Sequence, residues 1–319
     1  MPGPRRSVVV ASDGVALAVR EHGDPSHPTV VLVHGYPDTQ ELWSGVVARL
    51  RDDHHVVSYD VRGAGESDAA RSLGGYALTR LSDDLLAVIE ATTDDGRAVH
   101  LVGHDWGAIQ SWESAARRGV ASRLSSFTAV AGPSLDLSGH AMREGGPADG
   151  LRQLRKSWYI LAFHAPLLAP LAWRVFIGRR WPFVFSRSEG VRPPAGHPAP
   201  TIATDGVRGI GLYRRNMLDR LLRPRYARVD VPLVQVGVTM QDAFIDPATY
   251  DGLPGRMPEL WIRRAEATHW IPVLHPDVVS GWVRDVVAHR ERGTAPPPDA
   301  EVHREAVEAD AAAPSRAGA

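Results

Sequence analysis

A five-residue segment, Gly-His-Asp-Trp-Gly at positions 103–107, has residue types and a spacing that could do chemistry. The apolar run before it predicts a short buried strand, and the residues after it predict a helix. Gly103 and Gly107 indicate a turn between the two elements that is too tight for side chains. Asp105, at the centre of this turn, is the predicted nucleophile, because a carboxylate can attack carbon and leave an alkyl ester on the chain. Hydrolysis of that ester also needs a general base and an oxyanion hole. The alternative is an ordinary helix-capping aspartate.

The elements around this segment alternate between strands and helices, as in a parallel sheet with right-handed crossovers. The sequence therefore predicts an α/β fold with a mostly parallel central sheet flanked by helices. Strands are predicted at 8–11, 15–21, 29–33, 55–59, 99–102, 127–131, 231–236 and 260–263, and helices at 42–50, 78–91 and 276 to about 292.

The alternation stops in the middle of the chain and returns later, which predicts an inserted domain. We expect the first part of the core at residues 1–134, a helical lid at 135–228 and the second part of the core at 229–292. Residues 293–319 consist largely of Ala, Pro and acids and contain no Phe, Trp or Tyr. That composition predicts a disordered tail or linker.

With an aspartate at the centre of its strand–turn–helix segment, the chain resembles the epoxide hydrolase branch of the α/β-hydrolase superfamily. This branch is shared with haloalkane dehalogenases, and the resemblance covers about residues 8–292. It is similar in particular to the hydrolase half of actinobacterial proteins that fuse such a domain to a short-chain dehydrogenase. The resemblance implies an α/β-hydrolase fold with an inserted lid, and it implies no cofactor and no metal.

The general base and its acid partner are identified through the same resemblance. His269, in the segment Ala-Thr-His-Trp after the last predicted core strand, matches the family's base, and its pKa range suits activation of water. The acid should follow the strand predicted at 231–236. Asp242 lies at the family's usual distance and is favoured, Asp246 is the alternative, and Asp136 is an outside candidate.

The segment His34-Gly35-Tyr36-Pro37 follows an apolar strand and resembles the HGxP motif of the family. The resemblance implies that the backbone N–H groups of Tyr36 and Trp106 form the oxyanion hole. Pro37 fixes the turn and Gly35 permits it. Haloalkane dehalogenases usually carry Asn where Tyr36 stands, so the tyrosine weakens that alternative.

Two lid tyrosines are implied as proton donors to the opening epoxide ring. Residues 157–166 resemble the first lid motif of the family and place Tyr159 there, and residues 212–217 resemble the second and place Tyr213 there. A phenol stays protonated at pH 7 and is a good donor. The alternative is that both tyrosines only pack in the lid.

Composition excludes several other function classes. The formal net charge of −1 does not point to nucleic acid, and the absence of cysteine excludes disulfides and thiolate chemistry. The apolar stretch at 8–11 is too short for a signal-peptide core, so we expect a cytoplasmic protein.

The insertion is strongly basic. Residues 151–228 contain fifteen Arg and Lys against three acids. The uncharged stretch at 157–173 is short and contains two prolines, which disfavours a membrane span. Two interpretations stay open: a lid whose arginines face solvent, and a lid that contacts anionic lipid at the inner membrane face.

The sequence thus predicts an epoxide hydrolase that converts a small apolar epoxide into a diol through an ester on Asp105. The first alternative is a haloalkane dehalogenase with the same nucleophile and base. The second is a non-hydrolytic member that binds a ligand under its lid. Substrate identity, regiochemistry and oligomeric state depend on packing and are not readable from sequence.

Overall fold

The computed structural model describes residues 3–94, 96–144 and 162–305. They contain a nine-stranded sheet. Its strands are β1 (Arg5–Val10), β2 (Ala16–His22), β3 (Thr29–Val33), β4 (His55–Tyr59), β5 (Val99–His104), β6 (Leu124–Val130), β7 (Val234–Thr239), β8 (Glu259–Ala265) and β9 (Glu301–Arg304).

The strands lie in the order β1-β2-β4-β3-β5-β6-β7-β8-β9. The six strands from β4 to β8 in this order pair in parallel, while β1, β2 and β9 form antiparallel pairs at the edges. Strands β3, β4, β5 and β7 are buried along their whole length, as expected for apolar runs in a parallel sheet. The predicted α/β fold is confirmed.

Helices flank the sheet and fill the insertion. They are α1 (Ser44–Leu50), α2 (Leu78–Thr92), α3 (Trp106–Ala116), α4 (Arg118–Ala121), α5 (Leu135–Glu144), α6 (Leu168–Ala172), α7 (Trp181–Glu189), α8 (Ile202–Leu222), α9 (Ile271–Leu274) and α10 (Pro276–Arg292). Helix α2 packs against α3, and α1 packs against α10.

The described parts of the insertion between β6 and β7 consist of helices and connecting loops. Residues 135–144 and 162–228 contain α5 to α8 and no strand, and a π-helical turn at Trp173–Ile177 continues α6. Helix α8 packs against α5. We call the described helices from α5 to α8 the cap. None of the helices in the described ranges is both long and apolar enough to cross a membrane.

Of two predicted elements, one has the predicted boundaries and the other does not. Helix α10 begins and ends at the predicted residues, since Pro276 starts it and Gly293 follows it in the left-handed conformation, with φ 68°. Strand β7 begins three residues later than predicted. Val231 and Leu233 are fully buried but precede the strand, so their apolar character explains the early predicted start.

The predicted tail is wrong for residues 293–305. Strand β9 pairs antiparallel with β8, with Val302 opposite Trp261, and Val302 packs on a small cluster around that tryptophan. The acids of this segment meet arginines from elsewhere in the chain: Asp299 pairs with Arg263 at 2.7 Å, Glu301 with Arg264 at 2.6 Å and Glu305 with Arg228 at 2.7 Å. Pairing covers the open edge of β8, which compensates for the low apolar content. Residues 306–319 lie outside the described ranges.

The sheet topology brings the predicted site residues to one edge. Parallel strands share the edge at which their carboxyl ends meet, and β3, β5, β7 and β8 all end there. The loops that follow these four strands carry Tyr36, Asp105, Asp242 and His269.

Candidate active site

Asp105 lies on the sharp turn between β5 and α3. Its backbone has φ 51° and ψ −123°, a conformation that side-chain-bearing residues rarely adopt. The turn is possible because its neighbours are glycines: a Cβ on Gly107 would lie 2.0 Å from the Val33 carbonyl oxygen, and one on Gly103 would lie 2.6 Å from the Ala108 backbone. Backbone strain of this kind is concentrated at functional sites, and it lifts the Asp105 side chain above the sheet edge.

The Asp105 carboxylate is held by the loop after β3. The Tyr36 backbone N–H donates to Asp105 Oδ1 at 2.7 Å. A Cβ on Gly35 would lie 2.4 Å from the same oxygen, so only glycine allows this approach. Trp106 is the first residue of α3, and its N–H therefore has no partner within the helix. The predicted second donor of the oxyanion hole thus follows Asp105 directly in the sequence, at the start of the helix.

The other two members of the predicted motif fix this loop. The Val61 N–H donates to His34 Nε2 at 2.9 Å, so the proton of the neutral ring is on Nδ1, which donates to the Gly35 carbonyl at 2.8 Å. His34 therefore ties the end of β3 to the end of β4. Pro37 follows Tyr36 through a cis peptide bond.

His269 lies between two carboxylates. Its Nε2 is 3.5 Å from Asp105 Oδ2, and its Nδ1 is 2.8 Å from Asp242 Oδ2. All three side chains are largely removed from solvent. The structure therefore brings together the predicted nucleophile, base and acid in the relay expected of a catalytic triad.

Asp242 is held rigidly and ionised by its surroundings. Its Oδ1 accepts from the backbone N–H groups of Phe244 and Ile245, at 2.8 and 3.0 Å, and Thr239 donates to Oδ2 at 2.8 Å. Burial alone would raise the pKa of Asp242, but His269 and these hydrogen bonds outweigh it and lower the pKa. An ionised Asp242 keeps the proton of His269 on Nδ1 or pairs with the imidazolium.

The charge of His269 depends on both acids. Burial by itself lowers the pKa of His269, but Asp242 and Asp105 oppose it and raise the pKa well above its usual value. With both carboxylates ionised, His269 is therefore an imidazolium at neutral pH. Loss of the Asp105 charge would remove one of the two causes and lower this pKa.

The alternative acids occupy other positions. Asp246 caps the short helix Pro247–Tyr250 and accepts from the Ala248 N–H at 3.1 Å. Asp136 lies in a buried ion-pair network, in which Arg220 contacts both Asp136 and, at 2.6 Å, Glu113. The geometry favours Asp242 because its carboxylate, not that of Asp246 or Asp136, pairs with His269 Nδ1.

Tyr213 lies in the roof of the site. It is buried on α8, and its ring centre is 4.8 Å from that of Trp106 and 5.3 Å from that of Tyr36. Helix α8 is fixed to the core by Asn216, whose side chain accepts from the Leu78 N–H and donates to a neighbouring carbonyl. The second predicted tyrosine, Tyr159, lies outside the described residues.

Sequence reasoning assigned Tyr36 only a backbone role, but its side chain links core and cap. The Tyr36 hydroxyl donates to the Gly206 carbonyl of α8 at 2.7 Å. On the next turn, a Cβ on Gly209 would lie 2.3 Å from the Tyr36 ring, so this glycine seats the ring against the helix. The small residues at 203, 206 and 209, spaced by one helical turn in the first half of α8, were the available signal.

A second missed link joins the cap to the loop that carries the base. Glu189, at the end of α7, accepts from the Trp270 N–H at 3.0 Å, and the Trp270 indole donates to Asp38 at 2.8 Å. Beneath them, buried His104 contacts the His269 carbonyl at 2.9 Å, and burial lowers the pKa of His104 to about 4, which keeps it neutral. Glu189 is the only acid between residues 157 and 204, a signal that sequence reasoning did not use.

Comparison with known proteins gives one family model and several relatives. The model described as alpha/beta hydrolase fold matches residues 28–152. The protein named probable oxidoreductase EphD of Mycobacterium tuberculosis is 36% identical over 291 residues, which cover 87% of this chain and 48% of that protein. Epoxide hydrolase A of the same species is 32% identical over 164 residues, which cover 50% of this chain and 48% of that protein. The chain thus spans about half the length of these curated relatives.

Solved structures show the same fold. An epoxide hydrolase from Bacillus megaterium, a point mutant with its naphthyloxy-propane-1,2-diol product, matches 88% of this chain and 99% of its own at a TM-score of 0.72 and 21% identity. The epoxide hydrolase VrEH1 of Vigna radiata matches 89% of this chain and 97% of its own at a TM-score of 0.70 and 21% identity.

Proposed function

Because this chain has the α/β-hydrolase fold and is similar to epoxide hydrolases, we propose that it opens an apolar epoxide to a vicinal diol. The observation that carries the proposal is the position of the Asp105 carboxylate. It lies 2.7 Å from the Tyr36 N–H on one side and 3.5 Å from His269 Nε2 on the other. A carboxylate held in this way can first act as a nucleophile and then be regenerated by water.

In the first step, Asp105 attacks the less hindered carbon of the epoxide. Oδ1 is held by the Tyr36 N–H, so Oδ2 forms the new C–O bond while the carbon–oxygen bond of the ring breaks. The ring oxygen stays on the second carbon with both electrons of the broken bond. Tyr213 and Tyr159 both donate hydrogen bonds to it, and Tyr213 gives up its proton. The products are a hydroxyalkyl ester on Asp105 and a tyrosinate.

In the second step, water attacks the carboxyl carbon of Asp105. His269 takes a proton from the water, and the negative charge that develops on Oδ1 faces the N–H groups of Tyr36 and Trp106. The tetrahedral intermediate collapses, and the bond between the carboxyl carbon and Oδ2 breaks. The diol leaves with Oδ2, and the oxygen from water stays in Asp105. Of the two protons of the water, one passes from His269 to the leaving diol oxygen and the other passes from the new carboxyl group to the tyrosinate, so Asp105, His269 and the tyrosine are all regenerated.

The electrostatics of the site support this order of events. Alkylation removes the charge of Asp105, which is one of the two carboxylates that keep His269 protonated. The pKa of His269 then falls, and its proton can leave, so the imidazole becomes a base at the stage that needs one. Asp242 keeps the ring oriented through both steps.

We further propose that the protein works in the cytoplasm. The reaction balances with water as the sole co-substrate, so we assign it no cofactor. The substrate is an apolar epoxide because the roof of the site is made of aromatic side chains, among them Tyr213, Phe163 and Trp173.

The first experiment incubates the wild-type protein and Asp105→Asn with aryl epoxides, fatty-acyl epoxides and haloalkanes, and measures diol and halide in parallel. Diol from the wild type alone would support the proposal. Halide without diol would indicate a haloalkane dehalogenase, and tight ligand binding without either product would indicate a non-hydrolytic binder.

A trapping experiment tests the two-step mechanism. In His269→Gln the ester should form but not hydrolyse, so mass spectrometry should show the protein with the mass of the epoxide added. Wild-type protein turned over once in heavy-oxygen water should carry the label in the peptide that contains Asp105. Label in the diol alone would contradict the ester mechanism.

A further inference from the structure

The outward side of the cap carries a group of exposed apolar side chains. Six large ones within 17 residues are between 54% and 82% exposed, and we call their surface the outer cap face: Leu167, Leu168, Leu171, Val175, Phe176 and Phe183. A soluble surface rarely concentrates apolar side chains in this way without a partner. We propose that the outer cap face docks the protein on the surface of an anionic lipid bilayer.

The segment that carries this face is amphipathic. On its inner side, Ala169, Trp173, Trp181 and Phe185 are buried, and the Trp173 ring lies 5.6 Å from that of Tyr36. The exposed residues Leu168, Leu171 and Val175 follow helical spacing on the opposite side. The inner side therefore accounts for the folding of the segment, and the outer side is left for another environment.

The charges around the outer cap face have one sign. Arg174, Arg179, Arg180, Arg187 and Arg192 are exposed, and none of them forms an ion pair with an acid in the described ranges. The Arg180 guanidinium lies 4.4 Å from the centre of the Phe176 ring, so cationic and apolar groups are interleaved.

The only acid between residues 162 and 192 does not reduce this charge at the surface. It is Glu189, which is buried and bound to the Trp270 N–H. An apolar surface with a cationic surround is typical of helices that lie in the headgroup region of a bilayer, where apolar side chains enter the acyl boundary and arginines meet phosphates.

The positive charge around the outer cap face also argues against a second copy of this chain as its partner. Pairing two outer cap faces would bring the five arginines of one copy against the five of the other, and like charges at an interface are strongly unfavourable. An anionic bilayer complements both the charge and the apolar area.

The location of the face relates it to the reaction. The outer cap face and the face that covers Asp105 are opposite sides of the same layer of helices, so they are about one helix diameter apart. If the proposed function holds, an apolar epoxide dissolved in the bilayer would reach the site by a short path. The docking itself does not depend on turnover and is tested without it.

The test is sedimentation of the full-length protein with vesicles, in the absence of any epoxide. One set of vesicles contains phosphatidylcholine alone, and the other contains about one third phosphatidylglycerol. We expect binding to the anionic vesicles only, and weaker binding as the salt concentration rises from about 0.1 to 0.5 M, because screening shortens the reach of the arginines.

Three variants locate the contact. Each arginine near an anionic surface strengthens binding about fivefold, so a triple cap-charge variant should bind about 100-fold more weakly, while a matched core-charge variant should bind as the wild type does. A cap-apolar variant should also lose binding. Each variant replaces three exposed residues by glutamine. The cap-charge variant changes Arg174, Arg179 and Arg180, and the core-charge variant changes Arg71, Arg290 and Arg292. The cap-apolar variant changes Leu168, Leu171 and Phe183.

Several results would overturn the proposal. These are absence of vesicle binding, equal binding to neutral vesicles, or equal losses in the cap-charge and core-charge variants. A stable dimer in light scattering that the cap-apolar variant dissociates would assign the face to a second copy instead. Preference for polyglutamate over anionic vesicles would assign it to an acidic protein.

Discussion

The Tyr36 hydroxyl offers a measurement of how firmly the cap is fixed to the core. In Tyr36→Phe the ring stays, so no cavity forms, and the backbone N–H that contacts Asp105 stays as well. Only the hydrogen bond to the Gly206 carbonyl, 2.7 Å long and buried, is removed.

The expected cost follows from the partners that remain. A buried hydrogen bond contributes about 1 kcal/mol net, and leaving a buried partner unsatisfied costs up to about 3 kcal/mol. The Gly206 carbonyl is inside α8 and keeps its helical partner, so we expect a loss of about 1 kcal/mol in the free energy of unfolding. If the same loss applies to the closed cap over Asp105, turnover should fall about fivefold.

The assay is urea unfolding of the wild type, Tyr36→Phe and a matched control, combined with kinetics on the best epoxide. The control is Tyr59→Phe, since the Tyr59 hydroxyl is also buried but has no hydrogen-bond partner within the described residues. Removing it should leave stability unchanged or slightly higher. Equal losses in both variants, or no loss in Tyr36→Phe, would refute the reasoning.

Three further predictions concern charges. Asp242→Asn should slow ester hydrolysis by about 10³- to 10⁴-fold, since the ring of His269 loses its orienting anion; single-turnover kinetics would measure this, and a loss below tenfold would contradict it. Because the pKa of His269 is raised in the folded state, the protonated His269 stabilises the fold fully below about pH 6.5, and this stabilisation is lost as pH rises through the folded pKa. In Asp105→Asn, the free energy of unfolding in urea should therefore fall less between about pH 6 and pH 9 than it does in the wild type. The same pH dependence in both proteins would contradict this prediction. Arg220→Met leaves two buried carboxylates unpaired and should cost about 3–5 kcal/mol in the same assay, whereas a cost under about 1 kcal/mol would show that the network contributes little.

The predictable part of the site rests on local chemistry. The turn at Asp105 was predictable because two glycines and a strand–helix boundary leave few other conformations. The choice between Asp242 and Asp246 was not, because both follow β7 and only the path of the loop decides which carboxylate points at His269.

The fold shows the same limit. Residues 293–305 lack the apolar pattern of a strand. Strand β9 forms because it pairs with the edge strand β8 and because three arginines distant in sequence form ion pairs with the acids of this segment. Such pairing depends on groups far apart in sequence, which local composition does not record. The contacts of Glu189 and Tyr36 with their partners were missed for the same reason.

The positive φ of Asp105 has a consequence for how variation at this position would be scored. Glycine accepts φ 51° with ψ −123° without strain, and asparagine has the shape of the native aspartate, but neither supplies a nucleophilic carboxylate. In a saturation library ranked by cellular abundance, Gly and Asn at position 105 should equal or exceed the native residue. In the same library ranked by turnover, both variants should be inactive. The abundance and turnover rankings should therefore differ most at positions such as 105, where a strained backbone conformation is kept because the reaction needs it.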